Sequence, residues 1–187
     1  MADNGIPKEH QRARGDLHDQ IGRRIHALDD RAARGFAADA AAHVVPLYHR
    51  RYPGDPLPES LIEAARAVVF DQRSTGGMRA VVLSGLKTAE RAKVDLDAVR
   101  EAFARMGGEE NLLHYAKAGA AYLALLAALG ACMTTGLDAA LATSERAAQA
   151  RGGAVLTVLH QGEQAYLIDY LAVLDEYAWQ LARLRRC

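Results

Sequence analysis

The sequence predicts an all-α protein, and three observations carry that prediction. Alanine and leucine dominate the hydrophobic half of the chain, whereas Val and Ile together number only 16 of 187 residues. Ala and Leu lose little conformational entropy in a helix and β-branched residues lose more. No stretch alternates apolar and polar residues as a half-buried strand would, while apolar residues recur repeatedly at helical spacing. The expected architecture is a single-domain antiparallel helical bundle of about seven to nine helices. A chain of this length buries roughly 70% of its unfolded surface, enough for a full core.

Met1 to Arg14 is polar, contains Gly5 and Pro7, and lacks the apolar core of a signal peptide. It is expected to be a disordered tail, with the domain running from residue 15 to 187. A first helix is predicted from Asp16 to Asp29, with the stripe Leu17, Ile21, Ile25 and Leu28. A second covers Asp30 to Arg50, and Pro46 inside it should kink it or end it early. Arg50 to Ser60 holds three prolines and a glycine, which makes it an ordered or semi-rigid loop. Pro58 suits the first turn of the next helix, whose apolar face is Leu61, Ile62, Ala65, Val68 and Val69.

Ser74 to Gly77 should break that helix. A fourth then runs to about Lys93, and Asp95 or Asp97 caps a fifth that stops at Met106-Gly107-Gly108. Next come a long apolar helix, Glu109 to Thr134, and another from Gly136 to Arg151 closed by Gly152-Gly153. The last runs from Ala154 to Arg186. The apolar run Ala118 to Met133 is 16 residues, shorter than the ~20 of a membrane span, and reads as a buried helix. The expected location is cytoplasmic, with no membrane contact.

Composition excludes several function classes. Lys plus Arg equals Asp plus Glu, and no basic helix carries interleaved aromatics, so no nucleic-acid partner is expected. The arginine cluster Arg183, Arg185 and Arg186 sits at a helix C-terminus, where the dipole favours it. Two cysteines, Cys132 and Cys187, exclude a disulfide scaffold and a four-cysteine zinc site. Cys132 lies in an apolar run and reads as inert packing. No P-loop, nucleophile elbow or His-Glu-x-x-His motif is present. The pairs Glu110/His114, Asp39/His43 and His160/Glu163 each share a helix face, but their spacing is as well explained by local hydrogen bonds. No metal and no cofactor is expected.

One polar band stands out. His160, Gln161, Glu163, Gln164 and Asp169 interrupt an otherwise apolar helix, with Tyr166 and Tyr170 beside them and Gly162 allowing close approach. Buried polar groups cost free energy unless hydrogen-bonded or facing a cavity. The band is therefore either a satisfied inter-helix network or a ligand site. In the second case His160 would be a general base or orienting group, assisted by Glu163 and Gln164. Exposed Tyr166 and Tyr170 would instead favour a self-associating module.

Two segments carry a family resemblance. In His43 to Val69, the stretch Val45, Pro46, Leu47 precedes the turn Tyr52, Pro53, Asp55, and Pro58 precedes Ile62, Glu63, Ala64, Ala65 and Arg66. Near the end stand Trp179, Gln180, Arg183 and Leu184. These residues, about a fifth of the chain, resemble the signature of immunity proteins of bacterial polymorphic toxin systems. Family members often carry two histidines four apart on the penultimate helix; His160 takes the first place and Gln164 the second. The resemblance implies a non-catalytic protein that occludes a partner toxin. The alternative is a small-molecule binder or small enzyme using a cavity around His160. On physical grounds Asp55 can cap the following helix, Arg66 can bond a helix-end carbonyl or an acidic neighbour, and Trp179 is a core anchor with a satisfied indole. For a toxin contact, the candidates are the Arg50–Ser60 loop with Tyr52 and Asp55, because rigid loops present side chains at low entropic cost.

Overall fold

The computed structural model describes residues 8–70, 75–153 and 163–187; the side chains of 69–70, 75–76, 109, 153 and 163–170 are outside that description. Seven α-helices make up the described chain: α1 (Lys8–His26), α2 (Asp30–His49), α3 (Leu57–Phe70), α4 (Thr75–Met106), α5 (Glu109–Ala131), α6 (Gly136–Ala148) and α7 (Glu163–Leu184). A π-helical turn, Gln149–Gly153, follows α6. No strand occurs among the described residues, so the all-α class is correct.

α2 sits at the centre, packed on α5 and α6 and flanked by α3. Its Ala33, Ala37, Ala38, Ala40 and Ala41 are buried, facing buried alanines of α5 (Ala121, Ala124, Ala128) and α6 (Ala139, Ala140, Ala147). Alanine lets helix axes approach closely and loses no side-chain entropy on burial. One core cluster joins α2, α3, α4, α5 and α6 around Val44, Tyr48, Leu61 and Leu125. A second joins α1 and α7 to the other side of α2 and α6 through Ile21, Ile25, Phe36, Val173, Tyr177 and Leu181.

Asp29 caps α2, accepting from the Ala32 N–H at 2.7 Å. Thr135 caps α6: its Oγ1 accepts from Asp138 N–H (3.1 Å) and donates to Asp138 Oδ2 (2.6 Å). The first turn of α2 also fastens the α5–α6 connection. Arg34, nearly buried, donates to the Met133 carbonyl at 3.0 Å and to that of Thr134, while Asp30 Oδ1 accepts the Gly136 N–H at 2.5 Å. The connecting carbonyls just beyond α5 thus gain donors, and the α6 start gains an anion.

Several boundaries differ from the sequence reading. α1 starts at Lys8, not Asp16, because Lys8, Glu9, Gln11 and Arg12 are good helix formers that extend it outward with almost no burial. Pro46 does not end α2 early. Its missing N–H falls in the last turn, and its carbonyl still accepts from Arg50 at 3.3 Å. α4 runs unbroken through Asp95 and Asp97; the expected cap does not form because Asp95 turns its carboxylate to Arg51 and Tyr52. α4 ends as predicted, at Gly107 and Gly108, whose φ of +60° and +85° suit glycine. α5 stops at Ala131 and α6 passes into the π turn at Gln149. By length and composition the segment Glu110–Ala131 reaches the requirement for a membrane span, and half of its most apolar stretch is buried inside the fold. The predicted start of the last helix at Ala154 lies outside the described residues.

The 50–56 loop is clamped at both ends. Arg51 grips Asp95 with Nε (3.0 Å) and Nη2 (2.8 Å), and Tyr52 donates its hydroxyl to the same carboxylate at 2.8 Å. Tyr48 donates to Asp55 Oδ2 at 2.6 Å, and Asp55 Oδ1 accepts the Leu57 N–H at 3.0 Å, so Asp55 does cap α3. The Arg51 guanidinium holds the Asp95 carboxyl below its ordinary value. Burial, with the Asp95 bond, pushes the Tyr52 phenol up to about 12. His49 Nε2 meets Glu59 Oε1 at 2.5 Å, and that bond raises the imidazole above 6.5.

Two measurements test these contacts. A Cβ at Gly136 would collide with the Asp30 backbone carbonyl, so Gly136→Ala should cost about 1–3 kcal/mol in urea unfolding; an unchanged midpoint contradicts the close contact. A raised histidine pKa stabilises the fold fully below the unfolded value and loses that contribution as pH rises through the folded value. The stability difference between wild type and Glu59→Gln should therefore be largest near about pH 5.5–6.5 and shrink toward alkaline pH; a difference that grows with pH contradicts the pairing.

Candidate functional site

α2 is enclosed along most of its circumference. Between Ala33 and Val45 its partly exposed residues are Gly35, Asp39, Ala42 and His43, which share one strip at helical spacing. α3, α7 and the π turn meet at that strip. There the polar side chains converge.

Asp39 is held from both sides. Arg66 of α3 donates Nη2 to Oδ1 at 3.1 Å, and Arg183 of α7 donates Nε to Oδ2 at 2.7 Å, with its Nη2 on the same oxygen. One turn along α2, His43 points Nδ1 at Glu176 Oε2 of α7 at 2.8 Å. The Trp179 indole lies flat on the His43 ring, with centroids 3.8 Å apart and planes 5° from parallel. Arg151, delivered by the π turn, approaches Glu176 Oε2 through Nε at 3.4 Å and His43 Nε2 through Nη2 at 3.3 Å. Because Arg151 can only donate, His43 accepts at Nε2 and donates at Nδ1. π turns widen the helix locally and recur at functional sites; this one carries a guanidinium to a buried carboxylate.

Glu176 is the buried member, its side chain 0% exposed. Its Oε1 accepts Gln180 Nε2 at 3.1 Å. Gln180, itself buried, also donates to the Ser144 carbonyl (3.1 Å) and accepts the Ser144 hydroxyl (2.5 Å). A continuous chain Ser144–Gln180–Glu176–His43–Arg151 thus links α6, α7, α2 and the π turn. Removing the carboxylate would leave three donors without an acceptor, a loss of about 1–3 kcal/mol for each group left buried. A cleft of about 290 Å³ opens beside it, lined by His43, Arg151, Ala172, Asp175 and Glu176.

The residues singled out from sequence fall into three sets. Arg66 and Trp179 lie on this face, Arg66 bonded to an acidic neighbour, Asp39, rather than to a helix-end carbonyl. Trp179 packs on the second core cluster but is only partly buried, with one ring face on His43. Tyr52 and Asp55 lie on the α2–α3 loop, associated with Tyr48, which projects from the side of α2 opposite Asp39. Their polar atoms are spent inside the fold. His160 lies outside the described residues, and Glu163, Gln164 and Tyr166 are described only as backbone in α7. Glu176, Arg151 and Asp175 were missed from sequence. Their signal was the Glu176/Gln180 pair, two polar residues one turn apart between the apolar residues Val173 and Leu181.

The remaining chemistry is spare. Among the described residues no group of three His, Cys, Asp or Glu side chains could hold a metal ion. Cys132 donates to the Leu61 carbonyl at 3.2 Å, and burial pushes its thiol up to about 11, which suits packing rather than nucleophilic attack.

No curated protein and no solved structure matches the chain. The model of the family described as "Imm-5 like putative immunity protein" matches residues 24–151. That range takes in Asp39, His43, Arg66 and Arg151, while Glu176, Trp179 and Arg183 lie beyond it. Since the match spans more than two thirds of the sequence, the chain belongs to the Imm-5 like immunity protein family.

Proposed function

We propose that the chain is a non-catalytic binding protein of the bacterial cytoplasm that neutralises a toxin protein by occluding it. We place the contact on the α2–α3–α7 face. The observation that carries this placement is the half-buried Trp179 on His43, flanked by Arg66, Arg183 and Arg151. Trp and Arg are the residue types that most often dominate binding energy at protein interfaces, provided they are preorganised. Here each is already fixed by an intramolecular partner, so little side-chain freedom is lost on docking. The loop residues Tyr52 and Asp55 fit a supporting role, because their hydroxyl and carboxylate are engaged by Asp95 and Tyr48.

Occlusion and catalysis differ in stoichiometry. Mixed with a toxin that it neutralises, the chain should suppress toxicity only at one copy or more per toxin. Arg66→Glu, at a side chain 45% exposed, should weaken the complex at least about tenfold, and Arg66→Ala, which removes only a partly exposed ion pair, should weaken it while leaving the unfolding midpoint nearly unchanged. Protection by a small fraction of an equivalent would contradict occlusion. Full affinity in the Arg66→Glu variant would move the contact to another face.

A further inference from the structure

We infer that the cleft between α2, the π turn and α7 is the seat for one basic side chain, Arg or Lys, presented by the partner protein. The inference rests on the partner-binding reading and adds the chemistry of the group that enters.

Size and charge both argue for it. At about 290 Å³ the cleft lies at the lower end of ligand pockets, room for one side chain rather than a larger ligand. Its lining holds two carboxylates, Asp175 and Glu176, against one guanidinium, Arg151. His43 adds no charge in the observed arrangement, since it accepts from Arg151 and donates to Glu176. Arg151 neutralises Glu176 weakly: the Nε–Oε2 distance is 3.4 Å and the guanidinium side chain is 37% exposed. Asp175 stands at the exposed rim with no hydrogen bond or ion pair among the described residues. An entering cation would meet Asp175 directly and the incompletely neutralised field of Glu176 behind it. An entering carboxylate would face both.

The helix behind the cleft has the same sign. Among the described side chains of α7, Asp175 and Glu176 stand against Arg183. Of the lining residues, His43 is backed by the Trp179 indole stacked on its ring, and Ala172 leaves room for an Arg or Lys stem.

The test uses the full chain, labelled with ¹⁵N, and two small probes, N-acetyl-argininamide and N-acetyl-glutamic acid amide. Trp179 is the single tryptophan, so its indole N–H gives one unambiguous signal beside the cleft. The arginine probe should shift that signal and the Arg151 Nε–H saturably in the millimolar range, and the glutamate probe should not. Asp175→Asn should weaken the arginine probe about three- to fivefold while the remaining amide spectrum stays in place. Saturation by the glutamate probe, no shift with either, or unchanged affinity in Asp175→Asn each overturns the assignment. The titration needs no toxin, so its failure is separable from failure of the occlusion reading. A toxin complex formed at full strength by Asp175→Lys would likewise retire the cleft and leave occlusion standing.

Discussion

The close packing of α2 is the constraint on which the rest of this molecule depends. Its alanines admit α5 and α6 at short range, and its first turn fastens the α5–α6 connection through Asp30 and Arg34. With two sides of the helix covered, the strip carrying Asp39 and His43 is what remains for polar chemistry. α7 then reaches that strip because Val173, Tyr177 and Leu181 anchor it against α1 and the far side of α2. The same register that buries Tyr177 places Glu176 and Trp179 over His43. Core packing and site geometry are therefore one arrangement, not two.

A buried carboxylate such as Glu176 stabilises poorly by itself, because desolvation offsets much of the attraction to its partners. What it supplies here is position. Gln180 fixes one oxygen, His43 and Arg151 the other, and Ser144 orients Gln180 in turn. Networks of this kind favour one packing of the helices over its neighbours, since any slip of α7 strands several polar groups at once. They also hold the exposed neighbours of each member, so that Trp179, Asp175 and Arg183 are presented at defined positions before any partner arrives.

Local chemistry in the sequence was readable and long-range chemistry was not. Ala and Leu content gave the helical class, Pro58 and Asp55 marked the start of α3, and Gly107-Gly108 marked the end of α4. The break assigned at Asp95 failed because an Asp within a helix resembles a cap, and only the fold reveals that Arg51 and Tyr52 claim its carboxylate. The same applies to Tyr52 and Asp55, exposed on paper and engaged in the structure. Asp39 and His43 were visible as a pair one turn apart, and Arg66 and Trp179 as motif residues. Nothing local ties them together: His43 and Glu176 are 133 residues apart, and Arg183 and Asp39 are 144 apart. The π turn that delivers Arg151 reads in sequence as the plain end of a helix.

The central claim is that a partner protein docks on the α2–α3–α7 face. Amide hydrogen exchange on the chain with and without the proposed toxin partner tests it most directly. α4 presents a competing surface, with Leu83, Leu86 and Val94 exposed on its outer side. Complex formation should slow exchange in the π turn and along α7 from Leu171 to Leu184, with α4 unaffected. Slowing confined to α4, with the π turn and α7 exchanging as in the free protein, would contradict it.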